Sequence, residues 1–455
     1  MIVPRIPLIL LAGFILLPAT VAAAHSTDLT TAAWAVTALL FVVAAVDARR
    51  GKRRYAGVTV SAPSTVRMTV NKTGYIQLTI AKPEAAALPV RIGLALPPAL
   101  VSDHEAVRLR LTDGQAEFSV SWPCRAVRRG LHHAAACHIE IPSRWGLWAM
   151  RRKFSLTCEV RVYPNLSADQ KNLNGLFNPR ELGWRSMRKL GKGREFEQLR
   201  DYLPGDSYED IDWKATARRR FPVTRVFQVE QSQEIYVVLD ASLLSRRSAA
   251  FVRDRRKVKR HDGSNDTTTI FERYITAALV MALTAERAAD RYGLLIFGST
   301  PDCFIKAGRG KAHFNACREA LYNRMPRKVS PDFDELFTFI GTHLRKRALL
   351  VFLTNLDDPL LSENFVAAMR VAARQHLLMV NMFRPPGAYP LFSSKAVDNR
   401  QDIYEHLTGH ISWTALSDTR RKLRRYGAGF ALLEKKQLCS QLVGQYMDVK
   451  QRQLL

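Results

Sequence analysis

At 455 residues, 47% of them apolar, the chain is long and apolar enough to bury sizeable cores, in about two to four domains of roughly 100–200 residues each. Most of it should fold, which excludes a wholly disordered chain. A formal net charge of +27 favours anionic partners: membrane lipid, nucleic acid or an acidic protein face.

Residues 1–54 read as a membrane segment. Ile6 to Ala24 is uncharged and nearly all apolar, and Thr31 to Val46 is a second uncharged run. A spanning helix needs about 20 residues. The first run meets that length, and the second is slightly short unless its ends snorkel. The polar stretch His25 to Thr30 joins them so closely that two helices must form an antiparallel hairpin. A cleaved signal peptide, with Arg5 as its basic start and Ala22-Ala23-Ala24 as its cleavage site, is the competing reading. The cluster Arg49, Arg50, Lys52, Arg53 and Arg54 follows directly and should stay in the cytosol. Both readings therefore put residues 55–455 on the cytosolic side of the inner (cytoplasmic) membrane.

Residues 55–165 read as β. Val58–Ser61, Val66–Val70, Tyr75–Ile80, Val107–Leu111 and Phe154–Tyr163 alternate apolar and polar residues and end in turn signals such as Asn71-Lys-Thr-Gly74. Roughly six to eight such strands predict an antiparallel sandwich. The turn Ser143 to Trp148 is aromatic-rich and should plug its core. Cys124, His132, His133, Cys137 and His138 are zinc-compatible residue types, but their spacing matches no zinc template. None of the six cysteines forms a Cys-x-x-Cys pair. In the cytosol they should be reduced and mostly buried.

From 235 to 455 the period changes. Ile235–Asp240, Tyr292–Phe297, Ala348–Thr354, His376–Phe383 and Gly429–Leu433 are continuous apolar runs, as buried parallel strands read. Helical patterns alternate with them: Ile270 to Arg291, Ala312 to Asn323, Phe333 to Leu344 with Asp332 as N-cap, and Leu361 to Gln375. This predicts a mostly parallel sheet with helices on both faces. Such sheets place ligand sites beyond the C-terminal ends of their strands. Asp240 and Ser242 arrive there from one strand, Thr354, Asn355, Asp357 and Asp358 from another, and Asp332 starts an intervening helix. Hard oxygen groups of this kind suit Mg²⁺ or Mn²⁺.

The strand ending in Asp240-Ala-Ser242 resembles the metal-ion-dependent adhesion site of von Willebrand A domains, whose motif is Asp-x-Ser-x-Ser. Leu244 stands where the second Ser belongs, and Asn355 follows Thr354 where that fold has Asp. The resemblance implies a von Willebrand A-like α/β domain with a degenerate metal site at Asp240, Ser242 and Asp357, and no confident cofactor.

Residues 166–234 hold a more specific signature. Gly193, Glu195, Phe196, Leu199, Arg200, Tyr202, Pro204, Gly205, Asp206, Ile211, Asp212, Trp213, Ala217 and Arg218 stand in the order and spacing of the family known as domain of unknown function fifty-eight, which they resemble. Ser207 and Glu209 depart from the pattern. Family members tend to accompany MoxR-type AAA+ ATPases and other membrane proteins. Physically, the segment reads as an ion-paired connector between the soluble domains, with Trp213 as an apolar anchor.

Enzyme signatures are otherwise missing: no phosphate loop, no Gly-x-Ser-x-Gly elbow, no His-Glu-x-x-His. No nucleic-acid motif accompanies the basic runs, and no aromatics interleave with them, so nucleic acid is set aside. The expectation is an α+β multidomain protein: transmembrane hairpin, sandwich-like domain, connector, von Willebrand A-like domain. It should act as a membrane-anchored scaffold that binds partner proteins, with a MoxR-type AAA+ ATPase as the implied partner. The alternative is a metal-assisted hydrolase using Asp240, Ser242 and Asp357. The basic stretch from Ser245 to Thr268, with Arg253, Arg255, Arg256, Lys257, Lys259 and Arg260, is the expected docking loop.

Overall fold

In the computed structural model, described over residues 1–23, 27–55, 57–81, 88–111, 117–167, 190–204, 206–228, 233–247, 269–385, 387–391, 393, 400–434 and 437–452, the chain divides into two units, Met1–Asn165 and Leu166–Leu455. The first unit opens with β1 (Ile2–Pro4), α1 (Ile6–Ala23) and α2 (Thr27–Tyr55). One threonine in each helix bonds its own helix backbone: Thr20 Oγ1 donates to the Leu17 carbonyl and Thr37 Oγ1 to that of Ala33, each at 2.8 Å. Such self-satisfaction is what an apolar medium demands.

Lengths reverse the expectation for the two apolar runs. The stretch Thr30–Lys52 of α2, 23 residues, is long and apolar enough to cross a membrane, whereas the apolar part of α1, Ile6–Val21, is shorter. The reason is that α2 continues through the basic cluster. Arg and Lys are good helix formers, and their stems can run along apolar surface while the charge reaches water. Phe14 and Phe41 are 83% and 75% exposed.

Nine more strands follow among the described residues of this unit: β2 (Thr59–Ser61), β3 (Thr65–Thr69), β4 (Thr73–Ala81), β5 (Leu88–Ala95), β6 (Leu100–Val101), β7 (Val107–Leu111), β8 (Glu117–Ala126), β9 (Gly130–Pro142) and β10 (Trp148–Tyr163). One sheet runs β1-β10-β9-β5-β7, with β3 also on β10; the other runs β2-β4-β8-β6. Pairing is antiparallel except for β3 on β10. Ile76, Leu78, Trp122 and Cys124 of one sheet share a core with Ile92, Ile139, Cys137 and Val160 of the other.

The turn Ser143–Trp148 does more than plug that core. The Asp47 carboxylate of α2, fully buried, accepts from Ser143 Oγ at 2.5 Å and from Trp145 N at 3.1 Å. Trp148 Nε1 donates to the Ala44 carbonyl at 2.8 Å. Leu8 of α1, Ala44 and Leu147 pack together. Trp148 is the plug, whereas Trp145 stays about half exposed, at 49%.

In the second unit, β11 (Leu190–Asp201) pairs antiparallel with β12 (Val223–Gln228), and α3 (Trp213–Arg219) lies between them in sequence. The α/β part follows: β13 (Glu234–Asp240), α4 (Ile270–Arg287), β14 (Arg291–Phe297), β15 (Pro301–Gly308), α5 (Gly310–Tyr322), α6 (Phe333–His343), β16 (Leu349–Leu353), α7 (Pro359–Ala368), α8 (Ala372–Gln375), β17 (Leu377–Phe383), α9 (Arg400–Arg425), β18 (Gly429–Leu433) and α10 (Leu438–Gln451). Its six-stranded sheet runs β15-β14-β13-β16-β17-β18. All neighbours are parallel except β15 on β14.

Both faces of this sheet are covered, which is why its strands read as unbroken apolar runs. Ile235, Val237 and Leu239 meet α4 and α10 on one side. Tyr236 and Val238 meet α6, α7 and α9 on the other. Alanines 277, 278, 282 and 285 bring α4 close to the sheet. Gly293 leaves room for the neighbouring strand's Tyr236, whose ring carbon would lie 2.3 Å from an added Cβ. Two helix ends differ from the sequence reading. α4 stops at Arg287, because Ala289 turns left-handed (φ 56°) and Arg291 already belongs to β14. The helix expected over 361–375 is two, α7 and α8.

Candidate functional site

The polar residues read from the sequence gather beyond the C-terminal ends of β13 and β16. Asp240 ends β13 and is fully buried. One carboxylate oxygen accepts from the Ser242 backbone N–H at 2.8 Å, the other from Thr354 Oγ1 at 2.7 Å. Burial pushes this carboxyl up, and the hydrogen bonds from Ser242, Thr354 and Asn355 oppose the push. Ser242 Oγ accepts from the Leu244 N–H at 3.3 Å, capping the short turn Leu243–Arg246. Asn355 Nδ2 donates to the Leu244 carbonyl at 3.4 Å. Tyr274 of α4 donates its hydroxyl to the Thr354 carbonyl and to Asn355 Oδ1, both at 3.2 Å.

Asp357 takes a different partner. Its carboxylate pairs with the guanidinium of Arg247. The outcome is two carboxylates with separate compensation, Asp240 by hydrogen bonds and Asp357 by a fixed organic cation. Asp332 is used locally as the expected N-cap of α6, accepting from Glu335 N at 3.1 Å. Ser245 Oγ, Asp357 Oδ1 and both side-chain polar atoms of Asn381 on β17 are buried with no hydrogen-bond partner. As a metal-binding set the residues fit poorly: Leu244 supplies no oxygen, and Arg247 already neutralises one acid. Among the described residues no group of three or more His, Cys, Asp or Glu could hold a metal ion. Arg247 and Tyr274 were not legible as site residues; in sequence they look like one member of a basic run and one aromatic in an apolar helix.

Five of the six thiols are poorly suited to nucleophilic chemistry. Burial pushes Cys124 and Cys137 up to about 11 and Cys317 up to about 12, and raises Cys158 and Cys303 too. The reactive thiolate is correspondingly scarce near neutral pH.

The signature residues build one local motif. Gly193, Glu195, Phe196, Leu199 and Arg200 lie on β11. Arg200 pairs with Asp206 at 2.7 Å, whose second oxygen accepts from Leu203 N at 3.0 Å. Tyr202 stacks on Tyr208, with ring centres 5.9 Å apart. Ile211 is buried and bridges to Thr224. Asp212 caps α3, accepting from Ala215 N at 2.9 Å. Pro204 is exposed, as are Ala217 and Arg218 of α3, and Gly205 lies outside the described residues. Trp213, expected as a buried anchor, is 69% exposed. Its neighbour Asp212 is half-buried as the cap, and Trp213 is the first residue of α3. The basic run from Arg253 to Arg260 also lies outside the described residues.

Residues 198–387, which take in most of the signature and all of the polar edge, match the family model described as "Protein of unknown function DUF58". The chain carries a DUF58 domain. Among curated proteins it is 25% identical to "Uncharacterized protein YeaD" of Bacillus subtilis over 123 residues, 27% of this chain and 31% of that one. It is 22% identical to "Uncharacterized protein Rv1480" of Mycobacterium tuberculosis over 198 residues, 43% of this chain and 56% of that one. The chain thus spans from 31% to 56% of these relatives' lengths. Of solved structures, mussel byssus proximal thread matrix protein 1 aligns with a TM-score of 0.24 at 9% identity, covering 48% of this chain and 45% of its own. Murine CRIg aligns with a TM-score of 0.14 at 16% identity, covering 24% and 98%. Scores this low carry no argument about the DUF58 domain.

Proposed function

We propose that the protein is a membrane-anchored adaptor whose DUF58-containing half is von Willebrand A-like and binds partner proteins, working beside a MoxR-type AAA+ ATPase. The observation that carries this reading is the closed polar edge. Both Asp240 oxygens are occupied and Arg247 sits on Asp357, so the edge has the character of a rigid platform. The strand order and the helices on both faces support the von Willebrand A likeness. The ATPase partner rests on the family resemblance.

The first unit supports an orientation for this anchor. β1 pairs with β10, Ile2 opposite Met150, and Arg5 N donates to the Leu147 carbonyl at 2.9 Å. The chain before α1 and the domain after α2 share one sheet, so they lie on one side of any bilayer. If α2 crosses, α1 must cross back, despite its short apolar run. The basic end of α2 supports the cytosol as that side, at the inner membrane.

The orphaned Ser245 Oγ and Asp357 Oδ1 favour the second reading, a metal-assisted hydrolase. The test is affinity capture of the full chain from solubilised membranes, comparing the parent with Arg247→Glu. An adaptor platform should lose its bound proteins in the variant. Unchanged capture, together with divalent-metal binding by calorimetry, would favour the hydrolase.

A further inference from the structure

The signature segment pairs Arg200 with Asp206 and Arg225 with Asp212, yet leaves several large apolar residues exposed. Leu203, Tyr208, Trp213 and Phe221 are 54%, 75%, 69% and 44% exposed. Exposed aromatics gathered on one short motif mark a contact surface. α3 and its exit, Trp213 to Phe221, combine two of these aromatics with Lys214, Arg218, Arg219 and Arg220, and contain no acid. All four cations are exposed, and among the described residues none forms an ion pair. The acids beside them are otherwise placed. Asp206 and Asp212 face Arg200 and Arg225, and Glu209 and Asp210 sit on the preceding turn.

We propose that α3 and its exit dock on the anionic headgroup surface of the membrane in which the chain is anchored. Tryptophan and other amphipathic rings settle at the bilayer interface. Each Lys or Arg near an anionic leaflet strengthens association roughly fivefold. The area also selects the occupant. A stable protein interface needs about 800 Å² per partner, more than a helix of seven residues and its exit can offer. A lipid contact can be weak and still form, because the anchor holds the surface at high effective concentration. Docking would set how the DUF58 domain is presented to its partners. The proposal rests on the membrane anchoring, and not on the adaptor or ATPase reading.

The test uses the full chain in vesicles of phosphatidylcholine alone and of phosphatidylcholine mixed with phosphatidylglycerol. Flotation first establishes anchoring; a chain that floats with neither vesicle sinks the anchor reading and this proposal with it. Hydrogen exchange is then followed in peptides covering residues 202–222, with α4 as the internal control for folding. Exchange in α3 should slow several-fold in the anionic vesicles only, and high salt should reverse it. Replacing Lys214, Arg218, Arg219 and Arg220 by Ser should abolish the protection, and Trp213→Ser should weaken it, with α4 unchanged in both. Equal exchange in the two vesicles would overturn the proposal. So would protection that arises only when soluble cell protein is added, which would assign the surface to a protein.

Discussion

Asp240 shows how one buried carboxylate is made tolerable. Desolvation favours its neutral form, and the Thr354 hydroxyl and Ser242 N–H favour the charged one. Removing the acid should therefore matter less than removing the hydrogen bonds. Asp240→Asn can accept from Ser242 N and donate to a rotated Thr354 hydroxyl, so its stability should fall within about 1 kcal/mol of the parent. Asp240→Ala leaves both donors unmet and should cost about 2–4 kcal/mol. The pH dependence has a definite sign. A carboxyl whose folded pKa is raised binds its proton more tightly when folded, so its contribution to stability declines as pH rises above about 4. Denaturation in detergent across pH should show that decline in the parent and not in Asp240→Asn. Because Arg247 already compensates Asp357, millimolar Mg²⁺ should leave the melting temperature unchanged. A tight metal site would instead add about 2.7 kcal/mol at a hundredfold excess of ligand over Kd.

Elements are pinned by the same logic. The last helix, α10, is held to the start of β14 by Asp290, which is 1% exposed. That carboxylate accepts from the Tyr446 hydroxyl, from Lys450 Nζ at 2.8 Å and from Gln233 N at 3.1 Å. Breaking one side of such a buried pair leaves the rest uncompensated, so Asp290→Ala should cost about 3–5 kcal/mol. Tyr446→Phe removes one donor only and should cost about 1 kcal/mol. Urea unfolding of the purified chain can rank the two; equal losses would mean that Asp290 is not the hub. The apolar periodicity of α10 says that it packs, and nothing in it says that the helix is tied to the turn before β14.

At the scale of the whole molecule the question is topology. The first strand and the end of α2 meet one sheet through β1 on β10 and through Asp47 on the turn at Ser143. The expected consequence is an even number of crossings, with everything after Tyr55 in the cytosol. A reporter active only in the periplasm should stay silent after Leu455. The same reporter inserted between α1 and α2, near His25, should be active. Activity at the C-terminal position would refute the orientation and put Cys124 and Cys137 in an oxidising compartment.

Much of this protein was legible in one dimension, because periodicity is a local property. The alternating runs of 55–165 and the unbroken apolar runs after Ile235 announced antiparallel sheets and a mostly parallel one, since a strand's pattern records how many of its faces are buried. Asp332 could be read as a cap because capping acts over three residues. The DUF58 signature was legible for the same reason: its turn, ion pair and cap close within one short stretch. What tertiary structure decided was every pairing between distant segments. Ser143 receives Asp47 from 96 residues away, Asp240 finds Thr354 across 114, and Arg247 reaches Asp357 across 110. It decided exposure as well. Trp213 reads as an anchor by its size alone, yet it is 69% exposed, because what a side chain packs against is set by distant segments. A side chain's partner depends on which strands become neighbours, and no local pattern records that order.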